Sequence, residues 1–432
     1  MTELKFTRDG WLEGDVGDAD ECATFTRLKI TAGNAIITRN FSKRGGGETE
    51  ALNLPLFPLA EYIAKLWWPL LYEPFRARKD ASFLSRHRLD LPMHGYVFPA
   101  LGIGSAGDNA VLAQWSLIDN PLSPLKFLAP LQISREHIEP ELMDLVESTL
   151  ARLNSRSAAH EELRANWQRV RESLENHDQA SYCMAAGRLG IDPYDPDAPD
   201  ISQFLGSLPE DLFNDISEAT NLPNLGKTAE SMTQASRDID NRPTIDVTAF
   251  SEPPRDDLRI SAGELGYKAA VTLRNRLGFA DRPTKVVKEV LGATADKASV
   301  LNENGPPSMA GLSHRTDGVA HVGTFARSAR QRHFRAAATA YIAWCSRPGD
   351  VRAGTVALTR RQQASRAFAA EIVAPQSYLL ERGEKSGLTE EDIEEEAGKL
   401  VVPYDTVLWQ AWRAGVPLLG VDTPLQERNS FF

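Results

Sequence analysis

Apolar residues along this chain recur at two spacings. Near the N-terminus they alternate: TRLKITAGNAIITRN reads as two short strands about a Gly-Asn turn, because Asn and Gly tolerate positive φ. HGYVFPALGIGSAGDNAVLAQWSL repeats the pattern, with Ala-Gly-Asp-Asn as the turn. Between them PLAEYIAKLWWPLLYEPF predicts a helix ending near Trp68, since Pro69 disfavours helical geometry in the residue before it. From Ser134 the spacing becomes helical. SREHIEPELMDLVESTLARLNS, with Ser134 as N-cap, HEELRANWQRVRESLENHDQ and ASYCMAAGRLG are amphipathic helices. DPYDPDAPD is a linker that leads into ISQFLGSLPEDLFNDISEAT. Beyond about residue 255 helices again dominate, interrupted by a hairpin about Thr316-Asp317-Gly318. The expected fold class is α+β. Residues 1–133 form a mixed α/β domain and 134–250 a helical middle region. Residues 251–432 form a mostly helical domain with a small hairpin or sheet.

Composition narrows the setting. At 432 residues, 42% apolar and 25% charged, the chain can bury more than one core. It has no uninterrupted apolar run of membrane-spanning length, and its first residues lack the basic start and apolar stretch of a secretory signal. The three cysteines, Cys22, Cys183 and Cys345, are far apart and form no Cys-x-x-Cys pair, which predicts a reducing, cytoplasmic location. The net charge of −11 argues against a protein that coats nucleic acid over its whole surface. The charge is uneven, however. Arg327 to Arg366 contains nine arginines against one acid, Asp350, so this segment carries +8 and the rest −19.

The last 175 residues or so carry a resemblance. GELGYKAAVTLRNRLGF, DGVAHVGTFARSARQRHF, QQASRAFAAEIVAPQSYL and TEEDIEEEAGKLVVPYDTVLWQAWRAG follow one another as do the elements of the ImmA/IrrE family. Members are zinc metallopeptidases of bacteria and mobile elements that cleave a partner, typically a helix-turn-helix repressor. The resemblance implies a zincin-like domain whose central helix carries His-Glu-x-x-His. Two histidines four apart put both imidazoles on one helical face toward one metal, and the glutamate acts as general base. A third, carboxylate ligand comes from the following helix. Counted from Phe334 and Phe368, the ligand positions fall on Ala338, Ile342 and, give or take one residue, Gln362, and the base falls on Thr339. The stretch reads Ala338-Thr339-Ala340-Tyr341-Ile342, which offers no good zinc donor.

The expectation is therefore an inactive relative without metal or cofactor. It would bind a protein partner such as a repressor, a toxin or a defence subunit, as part of a mobile-element, toxin–antitoxin or phage-defence system. No membrane partner is expected. Arg330, Arg332, Arg335, Arg360, Arg361 and Arg366 are the candidate partner- or anion-binding residues, since guanidinium forks bind carboxylates and phosphates. The competing reading neutralises them internally through the acidic block Glu390–Glu396. Two further readings stay open. One is a hydrolase with a non-standard site, using His314, His321 and His333, or His87, His94 and Asp108. The other is a nucleic-acid-binding regulator using Arg327–Arg366. His160-Glu161 with Arg164 comes within one residue of the zinc motif, but a cation occupies the second ligand position, so it reads as a solvated helix face.

Overall fold

Two compact units divide the chain, the first ending at Asp200 and the second beginning at Ile201. The structure is a computed structural model; it describes all residues except 1–2, 16, 43–46, 77–80, 94, 116–129, 157–159, 251, 280–282, 385 and 423–432. Helices and strands are both abundant, as an α+β fold requires.

The first unit begins with β1 (Leu4–Trp11), α1 (Ala19–Ala23), β2 (Phe25–Ala32), β3 (Ala35–Ile36), β4 (Asn40–Ser42), β5 (Gly47–Thr49) and β6 (Leu52–Pro55). β2 is the hub of an antiparallel sheet, pairing with β1, β3 and β6. The Gly-Asn turn forms as expected, with Gly33 at φ +57°. α2 (Phe57–Lys65), α3 (Trp67–Tyr72) and α4 (Ala81–His87) follow. The break falls at Leu66, two residues earlier than Pro69 suggested, and Pro69 lies in the first turn of α3. There its missing N–H has no helical acceptor to lose. β7 (Leu101–Ser105), β8 (Ala110–Trp115) and β9 (Leu131–Ser134) form a three-stranded sheet. Its first turn puts Gly107 and Asp108 at positive φ. α5 (Arg135–Ser155), α6 (Glu161–Glu175) and α7 (His177–Arg188) complete the unit. Leu142, Leu145, Trp167 and Val170 of these helices join one core with Leu28, Ile30, Trp67 and Trp68.

The helical stretch 134–250 is thus not a unit of its own. α5–α7 bury their apolar faces with the first unit. α8 (Ser202–Leu205), α9 (Glu210–Ala219) and α10 (Leu222–Asp238) belong to the second. The second unit continues with β10 (Thr244–Asp246), α11 (Ala262–Arg276) and α12 (Pro283–Val286), then β11 (Met309–Arg315), β12 (Val319–Thr324) and α13 (Ala329–Cys345). β13 (Val351–Thr355), α14 (Arg360–Val373), α15 (Gln376–Gly383), β14 (Leu388–Thr389), α16 (Glu390–Leu400), α17 (Tyr404–Arg413) and β15 (Leu418–Leu419) close it. Its main sheet is antiparallel, in the order β10-β12-β11-β13. α13 packs on that sheet and on α14, and α14 packs on α11. The α11–α14 crossing is close because Gly266 has no side chain: a Cβ there would lie 2.0 Å from the Ala364 carbonyl oxygen. Tyr341, Trp344 and Phe368 meet edge-on or tilted in the core, with ring centroids 5.1–6.2 Å apart. Among the described residues no helix is long and apolar enough to cross a membrane.

Candidate functional site: a filled cleft and a sealed strand edge

α13 forms where the sequence placed it. Ser328 caps it, accepting from the Gln331 N–H at 3.2 Å, and Ala-rich turns carry it into the core. Arg315 closes its other end, donating from Nη1 to the Trp344 carbonyl at 2.6 Å and to that of Ser346 at 2.5 Å. A cation there suits the negative end of the helix dipole.

The four positions that the resemblance assigns to a zinc site are solid interior. Ala338 is 3% exposed, Gln362 1%, and Thr339 and Ile342 0%. Thr339 faces the sheet: a Cβ on Gly311 would lie 2.3 Å from its Oγ1, and one on Gly354 3.2 Å. Its hydroxyl donates to the Arg335 carbonyl at 2.8 Å. The glycines of β11 and β13 thus let α13 come against the strands with only a threonine between them. A glutamate at 339 has the sheet in its way.

Gln362 has a different task from coordination. Its Oε1 accepts from the Thr355 N–H and its Nε2 donates to the Ala353 carbonyl, both at 2.8 Å. Arg366, one turn on, donates to the carbonyls of Thr355 (3.0 Å) and Ala357 (2.9 Å). From α9, Asp215 accepts from the Ala353 N–H at 2.8 Å. On its other edge β13 pairs with β11. Asp215, Gln362 and Arg366 therefore take up the outward N–H and C=O groups of Ala353 and Thr355 on a terminal strand of the sheet. An unpaired strand edge is the natural receptor for an extended peptide, and here it is closed by side chains.

Asp215 is itself fixed by Arg352, whose Nε and Nη2 lie 2.8 and 2.7 Å from its two oxygens, with side chains 2% and 7% exposed. Asp211 adds a half-exposed third contact at 3.0 Å. Nothing in the sequence marks Asp215, because its partner is 137 residues away.

The six candidate arginines do not share one surface. Arg330 pairs with Glu394 at 2.8 Å, inside the acidic block proposed to neutralise it. Arg360 is 3% exposed, pairs with Asp256 at 2.5 Å and donates to the carbonyls of Asp257 and Ile260. Arg361 is partly buried and its charge acts on Asp215. Arg366 is held by carbonyls alone, and desolvation brings its pKa down to about 10. Among the described residues Arg330 and Arg360 pair with carboxylates, whereas Arg332, Arg335 and Arg366 show no carboxylate contact. For the paired ones, the sequence count of positive charge reflects internal ties.

The histidine alternatives are also separated. His314 and His321 pair across the hairpin, rings stacked 6.3 Å apart, with His314 Nδ1 2.5 Å from Asp240 and His321 Nδ1 3.1 Å from the Arg242 carbonyl. His333 lies instead by Asp296 and the Leu400 backbone, its pKa lowered by burial and by Arg332. Among the described residues no three His, Cys, Asp or Glu side chains are grouped to hold a metal ion.

In the first unit His87 is fully buried. Its Nδ1 is 2.5 Å from the Ile103 carbonyl and its Nε2 3.1 Å from Glu73, so neither nitrogen faces a ligand. His94 lies outside the described residues. The Asp108 carbonyl accepts from Arg135 Nη1 at 2.6 Å, a structural tie at a turn. His160 is 5% exposed, beside Asn154 at 2.9 Å, and so is a buried helix-start residue and not part of a solvated face. Trp67 and Trp68 are core, the first edge-on to Trp167 and the second donating to the Tyr194 hydroxyl at 2.8 Å.

Comparison with family models, with curated proteins and with solved structures gave no match for this chain.

Proposed function

We propose that the second unit is a peptidase scaffold that no longer cuts, and that the protein works by holding a protein partner in a regulatory or defence role. One observation carries this reading. The positions aligned with the zinc ligands and the base are Ala338, Ile342, Gln362 and Thr339, all at most 3% exposed. Gln362, where a ligand would stand, is spent on the backbone of β13. Neutral, buried groups of these types neither bind Zn²⁺ nor activate water. The element order opening helix, hairpin, central helix, strand and third-ligand helix supports the scaffold's kinship with the ImmA/IrrE peptidases. Because the old cleft is filled and the strand edge sealed, a partner binds elsewhere on the surface. A reducing, cytoplasmic setting accords with three cysteines that form no disulfide.

The test is metal analysis of the purified full chain, with melting recorded with and without a chelator. We expect substoichiometric zinc, an unchanged melting temperature, and no cleavage of proteins encoded beside it. Stoichiometric zinc, or a chelator-sensitive cut, overturns the reading.

A further inference from the structure

β1 is a terminal strand of the first sheet: its eight residues pair with β2 on one side. The direction of its backbone groups follows from the ladder. Ile30 of β2 gives its C=O to the Ile37 N–H and its N–H to Thr38 Oγ1, both away from β1. Lys29 and Thr31 therefore turn their groups toward β1, where they meet Thr7 and Lys5. Leu4, Phe6 and Arg8 then aim N–H and C=O outward. Phe6 agrees, since its N–H reaches the Glu141 carboxylate of α5 at 3.1 Å. Among the described residues no comparable contact takes up the outward groups of Leu4 and Arg8. A groove of about 490 Å³ follows this edge, lined by β1 residues between Lys5 and Trp11 and by Glu141 and Asp144. β1 thus offers what β13, closed by side chains, and β10, with three residues, do not.

The side chains select an occupant. Leu4 and Phe6 are core, and Lys5, Thr7 and Asp9 are exposed. Asp9 lies 3.9 Å from Arg27 and Lys5 2.7 Å from Glu3, both exposed pairs that hold weakly. The exposed order is cation, hydroxyl, anion. Reversed, it reads anion, hydroxyl, cation, so β1 is complementary to an antiparallel copy of itself. With Thr7 opposite Thr7, Lys5 of each copy meets Asp9 of the other. Opposite charges and threonine pairs directly across a sheet attract, and like charges repel.

The hydrogen-bonding register agrees. The same alignment sets Phe6 opposite Arg8, and these are the residues whose backbone groups point outward. Centring on Phe6 instead sets Asp9 against Glu3, two anions, and centring on Arg8 pairs no charges. The bulge after Arg8 limits the regular run to Leu4–Arg8 and so admits few registers. Glu141 is also provided for. The incoming Arg8 carbonyl replaces it on the Phe6 N–H, and the freed carboxylate lies beside the incoming guanidinium.

We infer that the β1 edge is a self-association surface: two copies of this chain join their first sheets through antiparallel β1 strands, with Lys5 and Asp9 paired across a two-fold axis at Thr7. Such an interface is isologous and closes at two copies. It rests on the first unit alone and is independent of whether the second unit cuts.

The test is sedimentation velocity of the full chain at low salt over a range of concentrations, with hydrogen exchange followed on the peptide covering 4–9. We expect a reversible monomer–dimer equilibrium and protection of that peptide that rises with concentration. Lys5→Asp sets anion against anion at both ends and should weaken the dimer about tenfold. Asp9→Lys should do the same with cations. Both residues are exposed, so the melting temperature of the dilute chain should not change. Lys5→Asp/Asp9→Lys restores opposite charges and should associate as the parent does. A chain that stays monomeric throughout, a dimer that the single variants leave unchanged, a double variant as weak as the single ones, or protection that rises elsewhere but not in 4–9 overturns the inference.

Discussion

Removing the Asp215 carboxylate should open the sealed edge of β13. In Asp215→Ala three contacts vanish together: two from Arg352, at 2.8 and 2.7 Å, and one from the Ala353 N–H, at 2.8 Å. The Ala353 N–H is left without its acceptor in the interior, which costs about 1–3 kcal/mol. Arg352, 7% exposed at its side chain, keeps the half-exposed Asp211 in place of its buried partner. Breaking a buried pair from one side costs about 3–5 kcal/mol in all, and the retained Asp211 puts this case toward the lower figure. For a unit of this size that is a fall of about 10 °C in melting temperature. The assay is scanning calorimetry with hydrogen exchange on fragments covering 351–357. Those fragments should lose protection first, because the variant frees their edge. Asp211→Ala should cost under about 1 kcal/mol, as half-exposed pairs do. Asp215→Leu/Arg352→Met, which removes both charges, should recover most of the loss. A single variant within about 1 kcal/mol of the parent, or a double variant as unstable as the single, refutes the claim that this pair seals the strand.

Three further outcomes follow from the packing. Introducing a His-Glu-x-x-His motif as Ala338→His/Thr339→Glu/Ile342→His should not give stoichiometric zinc; it should lower the melting point or prevent folding, since Thr339 already touches the sheet. Metal analysis and circular dichroism decide it. Gly266→Ala should destabilise the second unit by about 1–3 kcal/mol or more in denaturant titration, because the Ala364 carbonyl occupies the space of the new Cβ. Glu73 should confer stability with a defined pH sign. Burial raises its pKa, but hydrogen bonds from His87 and Arg86 outweigh that and hold it below the ordinary glutamate value. A lowered acid contributes stability that is full above its unfolded value of about 4.3 and disappears as pH falls through the folded value. Glu73→Gln should therefore lower stability at pH 7 and flatten the acid limb of the parent's stability curve; an unchanged acid limb in Glu73→Gln contradicts this.

What the sequence made legible was local. The Thr316-Asp317-Gly318 hairpin and the Ala-rich helix about Ala338 rest on turn chemistry and helical spacing within a few residues. β13 was missed: VRAGT is short, its alternation is blurred by Ala and Gly, and its strand identity comes from pairing with β11. The division after Asp200 was missed for a related reason. An amphipathic pattern says that a helix has a buried face, but not which sheet buries it.

The arginine segment shows the same limit in chemical form. A count of +8 over forty residues is a sum over charges, whereas binding depends on which charges lack a partner. Arg330 and Arg360 find carboxylates 64 and 104 residues away, and Arg352 finds one 137 residues away in the other direction from the sequence's acidic block. Those distances are invisible to any window along the chain. Once the pairs are removed, what is left includes Arg332 and Arg335 on one face of α13 and Arg366 on α14, which carbonyls hold. The informative quantity is therefore the difference between the charges the sequence supplies and those the fold consumes.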